Sequence, residues 1–133
     1  MTLIFCLDDQ KGMMFFGKRQ SRDSLLCEKI LEISHGKRLY MSSYSAKLFS
    51  DHSCVTVDDA YMSKAQPGDI CFIENGDFDT DKADAIILCH WNRRYQADRF
   101  FTHDLNAEGF RRVKKEDIIG SSHKKITIEF YER

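Results

Sequence analysis

The stretch GDICFIENGDFDTDKADAIILCHW, residues 68–91, contains two apolar runs separated by an acidic loop, Glu74 to Asp84. The runs, Ile70 to Ile73 and Ala85 to Trp91, are of strand length and show little polar alternation. Such unbroken runs are typical of strands buried on both faces, as in a parallel sheet. Thr2 to Leu7 has the same character. We therefore predict a mostly parallel central sheet.

Upstream of this stretch, the pattern predicts short helices that alternate with strands. A first helix is expected after an N-cap at Ser21 or Asp23, with a stop at Gly36. Gln10 to Arg22 is too irregular for a helix and too apolar for a free loop, so we expect it to lie over a cleft. The later elements are a strand at 37–41, a helix at 42–49, a strand at 54–57, one or two helical turns at 58–65 and a turn at 66–69.

The last third of the chain has a different pattern. Phe110 to Val113 and Ile126 to Tyr131 nearly alternate between apolar and polar residues, as partly exposed antiparallel strands do. We find neither a linker nor an internal repeat in the sequence. The prediction is a single α/β domain, residues 1–133, with an antiparallel C-terminal hairpin and two or three short flanking helices.

Composition narrows the possible partners. The 133 residues are 42% hydrophobic and 31% charged, with a net charge of −1, which is ordinary for a globular domain. Because the charges are balanced, no long-range field attracts nucleic acid or an anionic membrane, so nucleic acid is not an expected partner. No apolar run approaches the roughly 18–20 residues of a membrane span. The apolar N-terminus lacks a basic leader, and we expect it to be a retained first strand.

The cysteines indicate the redox environment. There are five, and none forms a C-x-x-C pair. Most lie inside apolar segments, where a free thiol behaves as a small hydrophobic group. A reducing, cytoplasmic location is therefore the expectation.

Several phrases in collinear order resemble dihydrofolate reductase in a shortened form. The opening LIFCLDDQKGM resembles the first strand and glycine loop of that family, and KRLYMSSYSAKLF is similar to its strand and phosphate-binding helix. GDICFIENGD and KADAIILCHW resemble the fifth and sixth strands, and SSHKKITIEFYER the closing hairpin. Each segment alone is weak evidence for the family, and the resemblance depends on the whole series in the same order along the chain. It implies the dihydrofolate reductase-like fold.

The chain departs from the family where the enzymes bind NADPH. The consecutive glycines after the fifth strand are replaced by Glu74-Asn75-Gly76-Asp77, whose carboxylates repel a phosphate. Ser42 and Ser43 stand where the family has glycine and a basic residue. The arginine-rich phosphate site is acidic here, at Val55 to Asp59. These departures argue against NADPH binding in the family manner, and we expect no cofactor.

The resemblance also implies a carboxylate on the first helix that protonates a pterin ring. Asp23 is the proton donor if the chain is a reductase, with Glu28 nearby, although the W-x-x-P-x-D phrase is missing. Helix capping and a solvated face are the simpler interpretations of these two carboxylates. No metal motif accompanies them. The five histidines are scattered singly, which excludes the His-x-His-x-Asp-His cluster of the ribonuclease Z family.

An anion site is the binding hypothesis that the residues suggest. Hydroxyls and free backbone N–H groups at the start of the second helix, together with nearby basic side chains, can hold a phosphate or carboxylate. N-capping and a solvated loop are the structural alternatives. The candidate residues are Arg22, Ser42, Ser43, Ser45 and Lys47.

The leading hypothesis is a noncatalytic or divergent member of the dihydrofolate reductase-like fold that binds a small anionic or nucleotide-like ligand, or a protein partner, and does not reduce folate. An NAD(P)H-dependent reductase of a pterin-like substrate is the alternative. A weaker one is a nucleic-acid-processing protein that uses Arg93, Arg94 and the aromatic residues beside them. The apolar run Met13 to Phe16 suggests a ligand pocket or a homodimer contact. Hydrolysis by His123 with Ser121 or Ser122 is disfavoured, because neighbours in one loop rarely point at each other.

Overall fold

The computed structural model describes residues 1–50 and 52–133. In this part of the chain there are two sheets and three α-helices, and the larger sheet has seven strands in the order β5-β4-β6-β1-β7-β10-β9. These strands are β1 (Thr2–Leu7), β4 (Leu39–Met41), β5 (Val55–Val57), β6 (Ile70–Phe72), β7 (Ala85–His90), β9 (Arg111–Ile118) and β10 (Ile126–Glu132).

The parallel part of the sheet is the centre of the protein. β1 lies between β6 and β7 and is parallel to both, with Thr2 opposite Ile70 on one side and Ala85 on the other. Leu3, Ile4 and Phe5 are fully buried, because β1 is covered on both faces. The prediction of buried parallel strands is therefore confirmed.

An antiparallel hairpin completes the sheet, as predicted. β10 pairs with β7 and with β9, and β9 forms an exposed edge. The strand runs through Ile118, five residues beyond the predicted end at Val113. Its extension, KKED with Ile118, carries charged residues because it faces solvent, so an apolar period does not mark it.

The segment from Gln10 to Arg22 is ordered differently from the expected covering loop. It forms a hairpin of β2 (Gly12–Phe15) and β3 (Lys18–Arg19), which joins β8 (Arg99–Phe100) in a second sheet. Phe16 and Gly17 at the turn both have positive φ, 50° and 71°, as tight two-residue hairpin turns require. Met13 and Met14 enter the core, whereas the Phe16 ring is 78% exposed.

Three short helices flank the large sheet: α1 (Ser24–Ile33), α2 (Ser43–Ala46) and α3 (Tyr61–Lys64). The N-cap of α1 is Asp23, whose carboxylate accepts hydrogen bonds from the N–H groups of Leu25 and Leu26. Leu26 and Ile30 pack on the sheet. Within the described residues, no helix is long and apolar enough to cross a membrane. Cys6, Cys27, Cys54, Cys71 and Cys89 are free thiols.

Candidate functional site

At the start of α2, where an anion site was predicted, the N–H and hydroxyl groups are already hydrogen-bonded to side chains of the same protein. The Ser43 N–H donates to Asp59 Oδ1 at 2.9 Å, and the Ser43 hydroxyl reaches the same carboxylate. Ser42 Oγ accepts from the Ser45 N–H and donates to Asn75 Oδ1 at 2.9 Å. A free anion would therefore have to displace the Asp59 carboxylate.

The remaining predicted residues are not gathered at one point. Ser45 is fully buried and donates its hydroxyl to Glu74 Oε1 at 2.8 Å. Lys47 is exposed at the C-cap of α2, the end opposite Ser42. Arg22 is exposed beside the cap of α1, and no hydrogen bond or ion pair joins it to the α2 serines in the described part of the chain.

An ion pair between Arg19 and Glu74 fills the cleft between the hairpin and the end of β6. The guanidinium donates to both carboxylate oxygens of Glu74, at 3.0 Å each, and lies 4.4 Å above the Tyr44 ring. The remaining cavity has a volume of only about 10 Å³, room for about one water molecule. It is lined by Cys6, Met13, Arg19, Gln20, Ser21, Ile73, Glu74 and Trp91.

The loop after β6 is packed against side chains of the same protein. A Cβ at Gly76 would collide with the Tyr61 hydroxyl, so this glycine makes room for a side chain of the same protein. The carbonyl oxygens of Glu74 and Gly76 accept hydrogen bonds from the Arg99 guanidinium, at 2.9 and 2.8 Å. Burial raises the pKa of Tyr61 to about 12, so its hydroxyl keeps its proton and donates to Asp77 O.

Asp23, the proton donor of the reductase hypothesis, is 3% exposed and fully hydrogen-bonded. Its carboxylate accepts from the N–H groups of Ser121 and Ser122, both at 2.9 Å, in addition to the two α1 N–H groups. Burial alone would raise the pKa of Asp23, but these hydrogen bonds and one from His123 outweigh it and hold the pKa well below the usual range. An acid that stays ionised is a poor proton donor at neutral pH.

His123 joins the segment of Ser21 and Asp23 to the segment of Trp91 and Tyr95, which follows β7. Its Nδ1 donates to Asp23 Oδ2 at 2.9 Å, since an ionised carboxylate can only accept. Its Nε2 lies 3.1 Å from Ser21 Oγ and 3.0 Å from the Tyr95 hydroxyl. The ring stacks on Trp91, with the centroids 4.6 Å apart. Sequence reasoning missed the pairing with Ser21, because 102 residues separate the partners and no local pattern marks it.

An open groove lies on the outer side of the β2–β3 hairpin. It comprises two adjoining depressions of about 470 and 610 Å³ that share Phe15, Arg94, Tyr95 and Gln96. We call it the hairpin groove, and its lining is Gln10, Phe15, Phe16, Lys18, Arg19, Gln20, Arg94, Tyr95, Gln96, Ala97 and Phe100.

The hairpin groove is cationic and aromatic. Its described lining contains three basic side chains and no carboxylate. Arg94 is exposed, and its side chain has no hydrogen-bond or ion-pair partner among residues 1–50 and 52–133. Trp91, from the same WNRRY stretch, is only 5% exposed beneath His123 and is closed to base stacking. Among the described residues, no cluster of His, Cys, Asp and Glu could hold a metal ion.

Comparison with known proteins identifies the fold. No family model and no curated protein matches the sequence. Among solved structures, dihydrofolate reductase from Enterococcus faecalis, complexed with NADP(H) and RAB-propyl, superposes with a TM-score of 0.66. The match covers 99% of this chain and 95% of that one, at 12% sequence identity. This protein therefore has a dihydrofolate reductase-like fold, with a sequence that has diverged far from that enzyme.

Proposed function

We propose that this protein is a binding domain that does not reduce folate and that its ligand is a small, anionic, nucleotide-like molecule held in the hairpin groove. The observation that carries the proposal is a combination seen among the described residues: the basic side chains of Lys18 and Arg94 have no ion-pair partner, and they lie beside exposed aromatic rings in a lining without a carboxylate. Each depression has a volume within the roughly 300–1,000 Å³ of small-molecule sites.

Phe16 supports a ring-bearing ligand. A bulky residue with positive φ costs about 1–2 kcal/mol relative to glycine, and an exposed phenyl ring gains nothing from burial. The ring lies against Phe15, with centroids 4.2 Å apart, and its other surface is open to solvent. Stacking of a base on such an aromatic platform contributes about 1–3 kcal/mol.

Arg94 and Lys18 support an anionic ligand. Both side chains are exposed, and an unpaired guanidinium offers the planar pair of donors that binds a phosphate or carboxylate in bidentate fashion. Gln96 and Tyr95 add uncharged polar groups beside them. Neighbouring stacking and anion-binding groups are what a nucleotide requires.

The site predicted at Arg22, Ser42, Ser43, Ser45 and Lys47 remains a second proposal. A ligand there would have to replace Asp59 on the Ser43 N–H and Glu74 on the Ser45 hydroxyl. Both replacements exchange a carboxylate already in place for another anion. In the hairpin groove, Arg19 is already paired with Glu74, but Lys18 and Arg94 have no carboxylate partner in the described part of the chain, so we favour the groove.

The reductase alternative draws on the structural neighbour, a dihydrofolate reductase in complex with NADP(H). For this chain it would require the Arg19–Glu74 pair to open and a protonated Asp23. We therefore propose that NADPH is not its cofactor. We further propose a cytoplasmic location, with the five thiols reduced.

Calorimetric titration with AMP, GMP, inorganic phosphate and NADPH tests the proposal. We expect a mononucleotide to bind and its affinity to fall at least ten-fold, about 1.4 kcal/mol, in Arg94→Ala and in Phe16→Ala. Arg93→Ala is the matched control, because Arg93 is exposed next to Arg94 but lies outside the groove lining.

Equal affinity in wild type and Arg94→Ala would contradict the proposal. So would NADPH binding that is lost in Ser43→Pro, since it would place the ligand at α2. Steeply salt-dependent binding of short RNA with no mononucleotide binding would favour the nucleic-acid alternative. A monomer–dimer equilibrium abolished by Phe16→Ala, again without nucleotide binding, would make the groove a contact between two copies.

A further inference from the structure

Ser21, His123 and Asp23 form a linear hydrogen-bonded series outside the hairpin groove. Ser21 Oγ lies 3.1 Å from His123 Nε2, and His123 Nδ1 lies 2.9 Å from Asp23 Oδ2. Each histidine nitrogen also has a second hydroxyl near it: Nε2 lies 3.0 Å from the Tyr95 hydroxyl, and Nδ1 lies 3.1 Å from Ser122 Oγ. A nucleophile, a base and an orienting acid are recognised by this geometry and not by their order in the chain.

The carboxylate end of the series is rigidly held. Asp23 Oδ1 accepts from the Ser121 N–H and Oδ2 from the Ser122 N–H, each at 2.9 Å. Because the ionised carboxylate can only accept, His123 Nδ1 carries a proton toward it. In the neutral ring, the lone pair then lies on Nε2, next to Ser21 Oγ. Stacking on Trp91 fixes the plane of the ring.

The hydroxyl end of the series has a donor and a small space beside it. The Tyr95 hydroxyl donates toward Ser21 Oγ at 3.3 Å, a position from which it can stabilise an oxyanion that develops next to that oxygen. Ser21 is half-buried and borders the cavity of about 10 Å³, whose walls include Met13, Ile73 and Trp91. This space holds about one water molecule, and its wall also includes the Arg19–Glu74 pair, so an ester reaches Ser21 only when these side chains move aside. Such a narrow entry favours a short acyl group over a long one.

We propose that Ser21 is the nucleophile of an esterase site for short-chain acyl esters, with His123 as general base and Asp23 as the orienting carboxylate. Ser21 Oγ attacks the ester carbonyl carbon while its proton passes to His123 Nε2. The bond to the alcohol oxygen then breaks, and the alcohol leaves with that proton. Water hydrolyses the acyl-serine by the reverse proton path, releasing the carboxylic acid and restoring Ser21.

Labelling with a small alkyl fluorophosphonate tests the site, because Ser21 Oγ would displace fluoride and retain the phosphonyl group. We expect a single adduct by intact mass, located at Ser21 by peptide mapping. Ser21→Ala should abolish it. Asp23→Asn, which keeps a capping side chain, should slow it on the order of 10³-fold or more. Ser24→Ala is the control, since Ser24 is an exposed serine at the first position of α1.

A second measurement covers the substrate. Wild type should hydrolyse p-nitrophenyl acetate at least ten times faster than p-nitrophenyl octanoate, and Ser21→Ala should hydrolyse the two esters at similar, low rates. The thermal midpoint of Ser21→Ala should equal that of Ser24→Ala, which shows that the variant is folded. An unlabelled wild type, or an adduct on any residue other than Ser21, would overturn the proposal. Neither result bears on ligand binding in the hairpin groove, which is read from Arg94 and Phe16.

Discussion

Replacing Asp23 by alanine is expected to lower the free energy of unfolding by about 3–5 kcal/mol. The change removes the N-cap of α1, which alone is worth about 1 kcal/mol. It also leaves His123 and the N–H groups of Ser121 and Ser122 without their acceptor inside the protein. Since these groups join the first helix to the closing hairpin, the loss affects two distant parts of the fold.

Urea unfolding of Asp23→Ala beside Asp79→Ala measures this effect. Asp79 is an exposed carboxylate that caps the 3₁₀ turn Thr80–Lys82 by accepting from the Asp81 N–H. Its removal costs only a cap, about 1 kcal/mol or less. Similar midpoints for the two variants would contradict the assigned role of Asp23.

The ionised Asp23 carboxylate should also make the free energy of unfolding depend on pH. The folded state lowers the pKa of Asp23, so ionised Asp23 stabilises the protein. This contribution is fully present above the unfolded pKa, about 3.9, and is lost as pH falls toward the lower folded pKa. Wild type should therefore destabilise steeply below about pH 4, and Asp23→Asn should show a shallower slope. Equal slopes of stability against pH in wild type and Asp23→Asn would show that Asp23 does not cause this pH dependence.

Replacing Glu74 by alanine is the second change with a large expected effect, about 2–3 kcal/mol of destabilisation. Glu74 is 8% exposed and holds the Arg19 guanidinium through two hydrogen bonds and the Ser45 hydroxyl through a third. Removing one partner of a buried ion pair typically costs about 3–5 kcal/mol. We expect less here because the Arg19 side chain is 18% exposed and can be hydrated.

Two controls separate the ion pair from the loop that carries it. Asp77→Ala changes an exposed carboxylate in the same loop and should alter stability by less than about 0.5 kcal/mol. The double variant Arg19→Met/Glu74→Leu should recover most of the loss, since a buried ion pair can be replaced by apolar side chains at little cost. Equal losses in Glu74→Ala and Asp77→Ala would mean that the pair does not hold the cleft closed.

The parallel core could be predicted because strands that are buried on both faces consist almost entirely of apolar residues. TLIFCL and AIILCH are apolar except for Thr2 and His90 at their ends, and the structure places them side by side in β1 and β7. Asp23 was likewise predictable as a helix cap, from its position just before the helical pattern. The strands could be predicted because burial alone selects their residues. The cap could be predicted because its hydrogen bonds join residues that are close in sequence.

The candidate site could not be predicted in the same way. Arg19 and Glu74 are 55 residues apart, and Ser21 and His123 are 102 residues apart. Such pairs depend on which loops the sheet order brings together, and a single sequence holds no local sign of it. The Gln10–Arg22 hairpin was missed for another reason: its turn is Phe16-Gly17, whereas Asn-Gly or Asp-Gly would have indicated it.

The ligand is expected to bind in the hairpin groove and not at the start of α2 and the loop after β6. Chemical-shift mapping by ¹⁵N-edited NMR during titration with AMP and with NADPH tests this expectation most directly. We expect AMP to shift the amide signals of Phe16, Gly17, Arg94 and Tyr95, and to leave those of Ser43 and Gly76 unchanged. Saturable shifts at Ser43 and Gly76 with NADPH, while the groove signals stay in place, would contradict it.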